Sequence, residues 1–85
     1  MNKVFSDTAW DDLVSWSKED RKIIKKIQML LSDIERNGNT GLGKPEALKG
    51  NLSGYWSRRI TEKDRLIYRT DNQSIYVAAC KGHYE

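Results

Sequence analysis

The stretch that decides the fold lies at residues 41–68 and reads GLGKPEALKGNLSGYWSRRITEKDRLIY. A glycine-rich loop leads into a segment of aromatic, branched and basic residues, which is the composition of β-strands. Between residues 37 and 60, Glu46 is the only acid. The cations that accompany it in the stretch include Lys49, Arg58, Arg59 and Arg65. The stretch therefore predicts strands that carry positive charge close to a single carboxylate.

More strands are predicted on both sides of this stretch. Lys3-Val4-Phe5 is a short β-prone segment and predicts the first strand. Asp71-Asn72 forms a plausible hairpin turn before the last strand. That last strand is apolar on both faces, which is typical of a strand with neighbours on both sides. The other strands, joined by short turns, are predicted at residues 55–60, 65–70 and 74–80.

Two helices are predicted between the first strand and the glycine-rich loop. Ser6 is placed to cap the first helix, whose apolar residues at helical spacing are Ala9, Trp10, Leu13 and Val14. Ser17 and Asp20 form a capping-box analogue at the start of the second helix, from about residue 19 to 36. Its apolar stripe consists of Ile23, Ile27, Leu30, Leu31 and Ile34. The predicted class is α+β, in the order β-α-α-β-β-β, with two helices packed on one face of a mostly antiparallel sheet.

Length and composition predict one soluble globular domain over residues 1–85. The chain has 85 residues, of which 38% are hydrophobic and 32% charged, so it can bury one modest core. Its longest apolar run, residues 76–80, is too short for a membrane span or a signal peptide, and we expect a cytoplasmic protein. The one cysteine, Cys80, cannot form an intrachain disulfide and is expected to be buried. The residue pattern predicts neither a metal site nor a cofactor.

Charge is unevenly distributed along the chain, whose formal net charge is +3. Residues 1–20 hold two lysines against five acids, whereas residues 21–85 hold thirteen basic against seven acidic residues. The second helix carries a basic row made of Arg21, Lys22, Lys25 and Lys26. Such a run is most often a solvated helix face, but the repulsion between neighbours such as Arg21 and Lys25 favours contact with a polyanion.

A candidate site for RNA cleavage follows from these residue types. Attack of a 2′-hydroxyl on its own phosphodiester needs a base for the 2′-OH proton, stabilisation of the phosphorane charge, and an acid for the 5′-oxygen. His83 is the only histidine, so a carboxylate, Glu46, is the natural second group. Arg59 and Arg65 can bind the phosphate in bidentate fashion. They share a face of the sheet only if an odd number of residues separates them in a regular hairpin.

The turn that carries Glu46 is predicted from its neighbours. Pro45 suits the first position of a short helical turn and Gly50 its exit. On such a turn Glu46 and Lys49, three residues apart, would project from the same side. Each of these residues also has an ordinary explanation, because loop glutamates and strand arginines are commonly solvated or ion-paired. Two other functions stay open: a non-catalytic module that blocks translation by occupying RNA or the ribosome, and a pure protein-interaction partner.

Four segments of the chain resemble the YoeB-like toxins of the RelE superfamily. They are KPEALK at residues 44–49, LSGYWSRRI at 52–60, RLIY at 65–68 and ACKGHY at 79–84. The resemblance extends to residues 9–12 and 25–27 and therefore covers essentially the whole chain. It implies a RelE-like fold and a toxin of a type II toxin–antitoxin system. Such toxins are ribosome-dependent endoribonucleases that cut mRNA in the ribosomal A site by 2′-OH attack.

The resemblance also implies roles for single residues. Catalysis would fall to Glu46 as general base, Arg65 at the transition state and His83 as general acid. Phosphate and mRNA binding would fall to Lys49, Arg59 and Tyr84, and contact with ribosomal RNA to Arg21, Lys22, Lys25 and Lys26. The partners implied are a YefM-like antitoxin, the 70S ribosome with its mRNA, and a second copy of the chain. No cofactor and no metal are implied.

Overall fold

The computed structural model describes residues 1–82, in which two helices pack on one face of a five-stranded sheet. The elements are β1 (Asn2–Phe5), α1 (Asp7–Glu19), α2 (Arg21–Asn37), β2 (Glu46–Ala47), β3 (Trp56–Arg59), β4 (Arg65–Thr70) and β5 (Ser74–Ala79), with a single 3-10 turn at Gly50–Leu52. The strand order is β1-β5-β4-β3-β2, with β1 parallel to β5 and every other pair antiparallel. The predicted α+β class is confirmed, and the structure adds the short strand β2.

The first helix is capped as predicted but buries a different face. The Ser6 hydroxyl accepts a hydrogen bond from the Ala9 amide at 3.1 Å. Ala9 and Trp16 are buried, whereas Trp10 is 55% exposed. The prediction that Trp10 belongs to the apolar face is therefore wrong, and Val14 is also exposed, at 36%. The stripe that meets the core runs through residues 9, 13 and 16, which lie three and four apart on one side of the helix.

The second helix begins at Arg21 and is capped by Asp20, whose carboxylate accepts from the Lys22 amide at 3.1 Å. The predicted capping role of Ser17 is wrong, because α1 continues to Glu19. The apolar stripe of α2 is confirmed, since four of its members are buried: Ile27, Leu30, Leu31 and Ile34. Neither helix within residues 1–82 has the length and apolar character needed to cross a membrane.

The last strand has neighbours on both sides, as its two apolar faces predict. Its pairing with β4 contains a bulge, because Ile67 is opposite Ala79 while Tyr68 is opposite Val77. The extra residue reverses the alternation of side chains, so Val77 faces the helices and Ala79 faces the other side. Cys80 is fully buried at the end of this strand. Burial, together with nearby Asp12, raises the pKa of its thiol to about 12, which keeps the thiol protonated.

Candidate active site

Glu46, Arg59 and Arg65 lie on the face of the sheet that does not contact the helices, which we call the open face. Arg59 is directly opposite Arg65, and Glu46 is directly opposite Ser57. Opposite residues share a face, and so do Ser57 and Arg59, two apart on β3. The alternate residues Leu66 and Tyr68 are buried in the core between the helices and the sheet. This core consists of Ala9, Trp16, Ile27, Leu30, Leu31, Ile34, Ile60, Leu66, Tyr68, Ile75, Val77 and Cys80.

The hairpin between β3 and β4 has the odd loop length that places Arg59 and Arg65 on the same face of the sheet. Residues 60–64 separate β3 from β4, an odd number, and the strands pair without a bulge from Trp56 to Arg59. The turn is closed by hydrogen bonds from the Ile60 amide to the Asp64 carbonyl at 2.9 Å and from the Thr61 hydroxyl to the Asp64 carboxylate at 2.8 Å. This turn fixes the register that brings Arg59 and Arg65 together.

Glu46 is held by a strand, and the helical turn predicted at residues 45–50 is wrong. The backbone of Glu46 and Ala47 pairs with β3, and the Leu48 amide donates to the Tyr55 carbonyl at 2.9 Å. Pairing with an existing sheet edge supplies more hydrogen bonds than an isolated turn, so it overrides the local preference of Pro45. Lys49 follows the strand and is exposed, and its spacing from Glu46 no longer places it on the same side.

The guanidinium of Arg65 is fixed by the hairpin turn. Its Nη1 donates to the carbonyls of Thr61 at 2.9 Å, Glu62 at 3.1 Å and Asp64 at 3.2 Å. Within residues 1–82, its Nε and Nη2 make no hydrogen bond to protein, and neither does the exposed side chain of Arg59. The Nε–Nη2 edge of a guanidinium can bind two oxygens of one oxyanion. The site therefore offers a held arginine and an exposed arginine on the same side of the sheet.

The C-terminal segment is attached to both the hairpin and α1. Gly82 accepts from the Arg65 amide at 2.9 Å and donates to the Asp64 carboxylate at 2.8 Å. On the other side, the Trp16 indole donates to the Cys80 carbonyl at 2.8 Å, and Lys81 pairs with Glu19. His83 and Tyr84, which carry two of the predicted roles, lie outside the described residues.

Arg58 has a structural role that the sequence reasoning missed. Its side chain is fully buried on the helix-facing side of β3, where its Nη1 pairs with Asp33 of α2 at 2.5 Å. Its remaining bonds go to the Tyr68 hydroxyl and to the carbonyls of Gly38, Thr40 and Leu42. These contacts occupy all five guanidinium donors. Alternation along β3 was the available signal, since Arg58 and Arg59 cannot face the same side.

Asp33 is the acceptor at the centre of this buried cluster. Besides Arg58, it accepts from the Leu42 amide at 3.0 Å and from the Asn37 side chain at 2.8 Å. These hydrogen bonds, that from Arg58 above all, hold the pKa of the Asp33 carboxyl below its usual range. Together Arg58 and Asp33 fasten the loop that runs from α2 towards Glu46.

The basic row of α2 lies on the helix layer, away from the open face. Arg21, Lys22 and Lys25 are exposed and Lys26 is half-buried. The ion pairs within residues 1–82 involve other side chains. The row therefore presents uncompensated positive charge on a surface separate from Glu46.

Comparisons with known proteins agree over almost the whole chain. The family model described as "YoeB-like toxin of bacterial type II toxin-antitoxin system" matches residues 5–84. The toxin YoeB of Escherichia coli (strain K12) is 49% identical over 84 residues, which are 99% of this chain and 100% of that relative.

Two solved structures from Staphylococcus aureus are closely similar as well. A YoeB dimer has a TM-score of 0.94 at 48% identity, and a heterotetrameric YoeB–YefM complex has a TM-score of 0.92 at 48% identity. Each match covers 99% of this chain and 98% of the other. A family match over nearly all residues, a relative of equal length and a shared fold lead to one conclusion. This chain belongs to the YoeB-like toxins of bacterial type II toxin–antitoxin systems.

Proposed function

We propose that this chain is a ribosome-dependent endoribonuclease that cuts mRNA in the ribosomal A site and so inhibits translation. The observation that carries the proposal is the strand register that puts Glu46, Arg59 and Arg65 on one open face. A carboxylate and two arginines supply a proton acceptor and phosphate ligands, which are two of the three requirements of the reaction. Such a toxin, acting as one domain over residues 1–85, would work in the cytoplasm.

In this proposal the reaction begins at Glu46. Its carboxylate takes the proton of the 2′-hydroxyl while the 2′-oxygen attacks the neighbouring phosphorus. The bond from phosphorus to the 5′-oxygen then breaks, and the imidazolium of His83 gives its proton to that oxygen. The products are a 2′,3′-cyclic phosphate and a free 5′-hydroxyl. No oxidant, metal or cofactor enters the balance.

The arginines stabilise the charge that develops on the phosphorane. Because the hairpin carbonyls hold Nη1 of Arg65, its Nε–Nη2 edge is presented with little loss of freedom on binding. Arg59 lies directly opposite and adds a second cation. Lys49, which is exposed just beyond β2, reaches the flanking backbone from the edge of the site as a point charge. His83 follows Gly82, which is bonded to the Arg65 backbone, and Tyr84 positions the mRNA.

Partners are proposed from the relatives. A solved relative is a heterotetramer of YoeB and YefM, and another is a YoeB dimer. We propose that this chain likewise binds a YefM-like antitoxin and a second copy of itself. On the 70S ribosome, the basic row Arg21, Lys22, Lys25 and Lys26 would contact ribosomal RNA, since exposed cations bind phosphate backbones.

The test of the residue roles is single-turnover cleavage of a message on programmed ribosomes. We expect Glu46→Gln to lower the rate by about 100-fold or more, because it removes the proton acceptor but keeps the shape. The matched control is Glu62→Gln, which changes another exposed glutamate in the hairpin turn. His83→Gln should slow the same step.

The outcomes separate the functions that the sequence left open. Inhibition of translation with intact message would identify a module that acts by occupancy. Equal cleavage by Glu46→Gln and Glu62→Gln would refute the role of Glu46. Absence of both ribosome binding and cleavage would leave a protein-interaction partner.

A further inference from the structure

A second group of side chains lies on the open face, at the other end of β4 from Arg65. A groove of about 210 Å³ is lined by Val4, Tyr55, Arg69 and Tyr76, among others. Arg69 is opposite Tyr76, and Val4 is opposite the same tyrosine on its other side. Tyr55 directly precedes Trp56, the partner of Tyr68, so it lies beside Arg69. The proposed chemistry uses none of these side chains.

The geometry of this group is that of a stacking platform. The guanidinium carbon of Arg69 lies 4.0 Å from the centre of the Tyr76 ring. The Tyr76 hydroxyl donates to the Asp71 carboxylate at 2.8 Å, and Asp71 in turn accepts from the Gln73 and Ser74 amides at 2.8 Å. The ring is thus held at its hydroxyl end, while the side chain of the exposed Arg69 lies over its face. A planar guanidinium on a fixed ring can stack a further planar group on its outer face.

The charges around the platform favour a nucleobase over a phosphate. The carboxylate of Asp71 is bonded to the ring that carries Arg69, so it offsets the positive charge of that arginine. Tyr55 and Tyr76 are half-buried aromatic residues that line the groove, and the planar guanidinium of Arg69 covers the ring of Tyr76. Single-stranded nucleic acid binds such surfaces by base stacking, with the backbone bound by separate cations. Those cations are present at the other end of the strand, at Arg59 and Arg65.

The position of the platform suits the same RNA strand. Arg65 and Arg69 lie on one strand and one face, about 13 Å apart at the usual rise per residue. Glu46 and Ser57, which are opposite each other, lie between the Arg59–Arg65 pair and the Tyr55–Arg69 pair. An RNA that places its scissile phosphate against Arg65 and its 2′-hydroxyl near Glu46 would therefore continue towards the groove.

We propose that Tyr55, Arg69 and Tyr76 form a base-stacking subsite for a nucleotide that flanks the scissile phosphate. This inference rests on the proposed ribonuclease function and names a further part of its substrate site. It assigns this groove of the open face to single-stranded RNA and not to a second copy of the chain.

The test measures cleavage on programmed ribosomes as a function of protein concentration. For Arg69→Ala we expect the half-saturating protein concentration to rise about tenfold, with the maximal rate within about twofold of the parent chain. Arg69→Lys, which keeps the charge but loses the planar group, should behave like Arg69→Ala. The matched control is Arg36→Ala, which removes an exposed arginine from the end of α2.

A second arm changes the RNA in place of the protein. An abasic nucleotide is moved through the positions on either side of the cut. At one position, the abasic nucleotide should raise the half-saturating concentration of the parent chain about tenfold. The half-saturating concentration of Arg69→Ala should not change there, because the base that Arg69 would stack is already missing.

Three results would overturn the subsite while leaving the ribonuclease function intact. One is Arg69→Ala behaving like Arg36→Ala. Another is that Arg69→Ala raises the half-saturating concentration by the same factor whatever the position of the abasic nucleotide. The third is a change in sedimentation of Arg69→Ala with unchanged cleavage, which would assign the groove to contact between copies. Failure of the parent chain to cut any message would instead refute the function on which the subsite rests.

Discussion

Arg58 and Asp33 connect the sheet, α2 and the loop that leads to Glu46. The guanidinium is fully buried, and every one of its donors is bonded. Adjacent arginines in β3 therefore do different work: Arg58 holds the fold together, whereas Arg59 is exposed beside the candidate site. The two residues are chemically identical and adjacent in sequence, and only the side of the sheet that each faces distinguishes their roles.

We expect Arg58→Met to destabilise the protein by about 3–5 kcal/mol, because it leaves the Asp33 carboxylate and three loop carbonyls without their donor. The free energy of unfolding, from urea titration, measures this change. The matched control, Arg36→Met, alters an exposed arginine and should stay within about 0.5 kcal/mol of the parent chain. Equal midpoints for the two variants would contradict the role of Arg58.

Asp33 predicts a pH dependence of stability. Its pKa is lowered in the folded protein, chiefly by the hydrogen bond from Arg58. The stabilisation is therefore complete above the pKa of the unfolded chain, about 4, and is lost as the pH falls through the lower folded value. We expect Asp33→Asn to be less stable at pH 7 and to lose less stability than the parent chain between pH 4 and 2. Parallel curves of unfolding free energy against pH for the two proteins would refute this.

The loop from α2 to β2 is the element that the sequence predicts least well. Its glycines are visible in the sequence, but their partners are not. A Cβ on Gly41, where φ is +115°, would lie 2.2 Å from the Asp33 carboxylate. Gly43 passes close to β3, and its carbonyl accepts from the Arg59 amide at 2.7 Å. The loop is thus fitted against the Arg58–Asp33 cluster and delivers the chain to β2.

We expect Gly41→Ala to cost about 2 kcal/mol more than Gly54→Ala, because it also displaces the Asp33 carboxylate from its hydrogen bonds. Gly54 is the matched control: its φ is +93°, so alanine is strained there too, but no atom lies within 4 Å of the added Cβ. Thermal or urea unfolding compares the two. Equal losses would mean that the loop does not depend on close contact with Asp33.

Helices and long strands were predictable because their patterns are local. The apolar stripe of α2 specifies the face that it buries, and the odd number of residues in the hairpin turn fixes how Arg59 meets Arg65. The strand β2 was not predictable, because two residues carry no periodicity and pair only once β3 provides an edge. Trp10 was assigned to the wrong face, since helical spacing allows either of two adjacent stripes and only packing chooses between them.

The whole molecule presents two cationic surfaces on different layers. The open face of the sheet carries Arg59 and Arg65, while α2 on the opposite layer carries the basic row. Their separation means that mRNA and ribosomal RNA could be contacted at the same time. Under the proposed function, we expect the first surface to cut the message and the second to hold the protein on the ribosome.

The second surface predicts salt-dependent binding to ribosomes. We expect Lys25→Ala to weaken ribosome binding and to reduce the slope of log affinity against log salt by about one, as for a lost phosphate contact. Arg36→Ala, at the far end of the same helix, is the matched control and should leave the slope unchanged. Sedimentation with ribosomes over a range of salt concentrations measures both. A slope that is the same in the two variants would exclude Lys25 from the contact.

The proposed function requires the open face to cut a message that the ribosome presents. Its most direct measurement is a map of the 5′ ends of a message in a translating extract, with and without the added protein. We expect new ends inside A-site codons, which disappear when ribosomes are removed and when Glu46→Gln replaces the parent chain. Inhibited translation with an intact message, or ends that persist in Glu46→Gln, would contradict it.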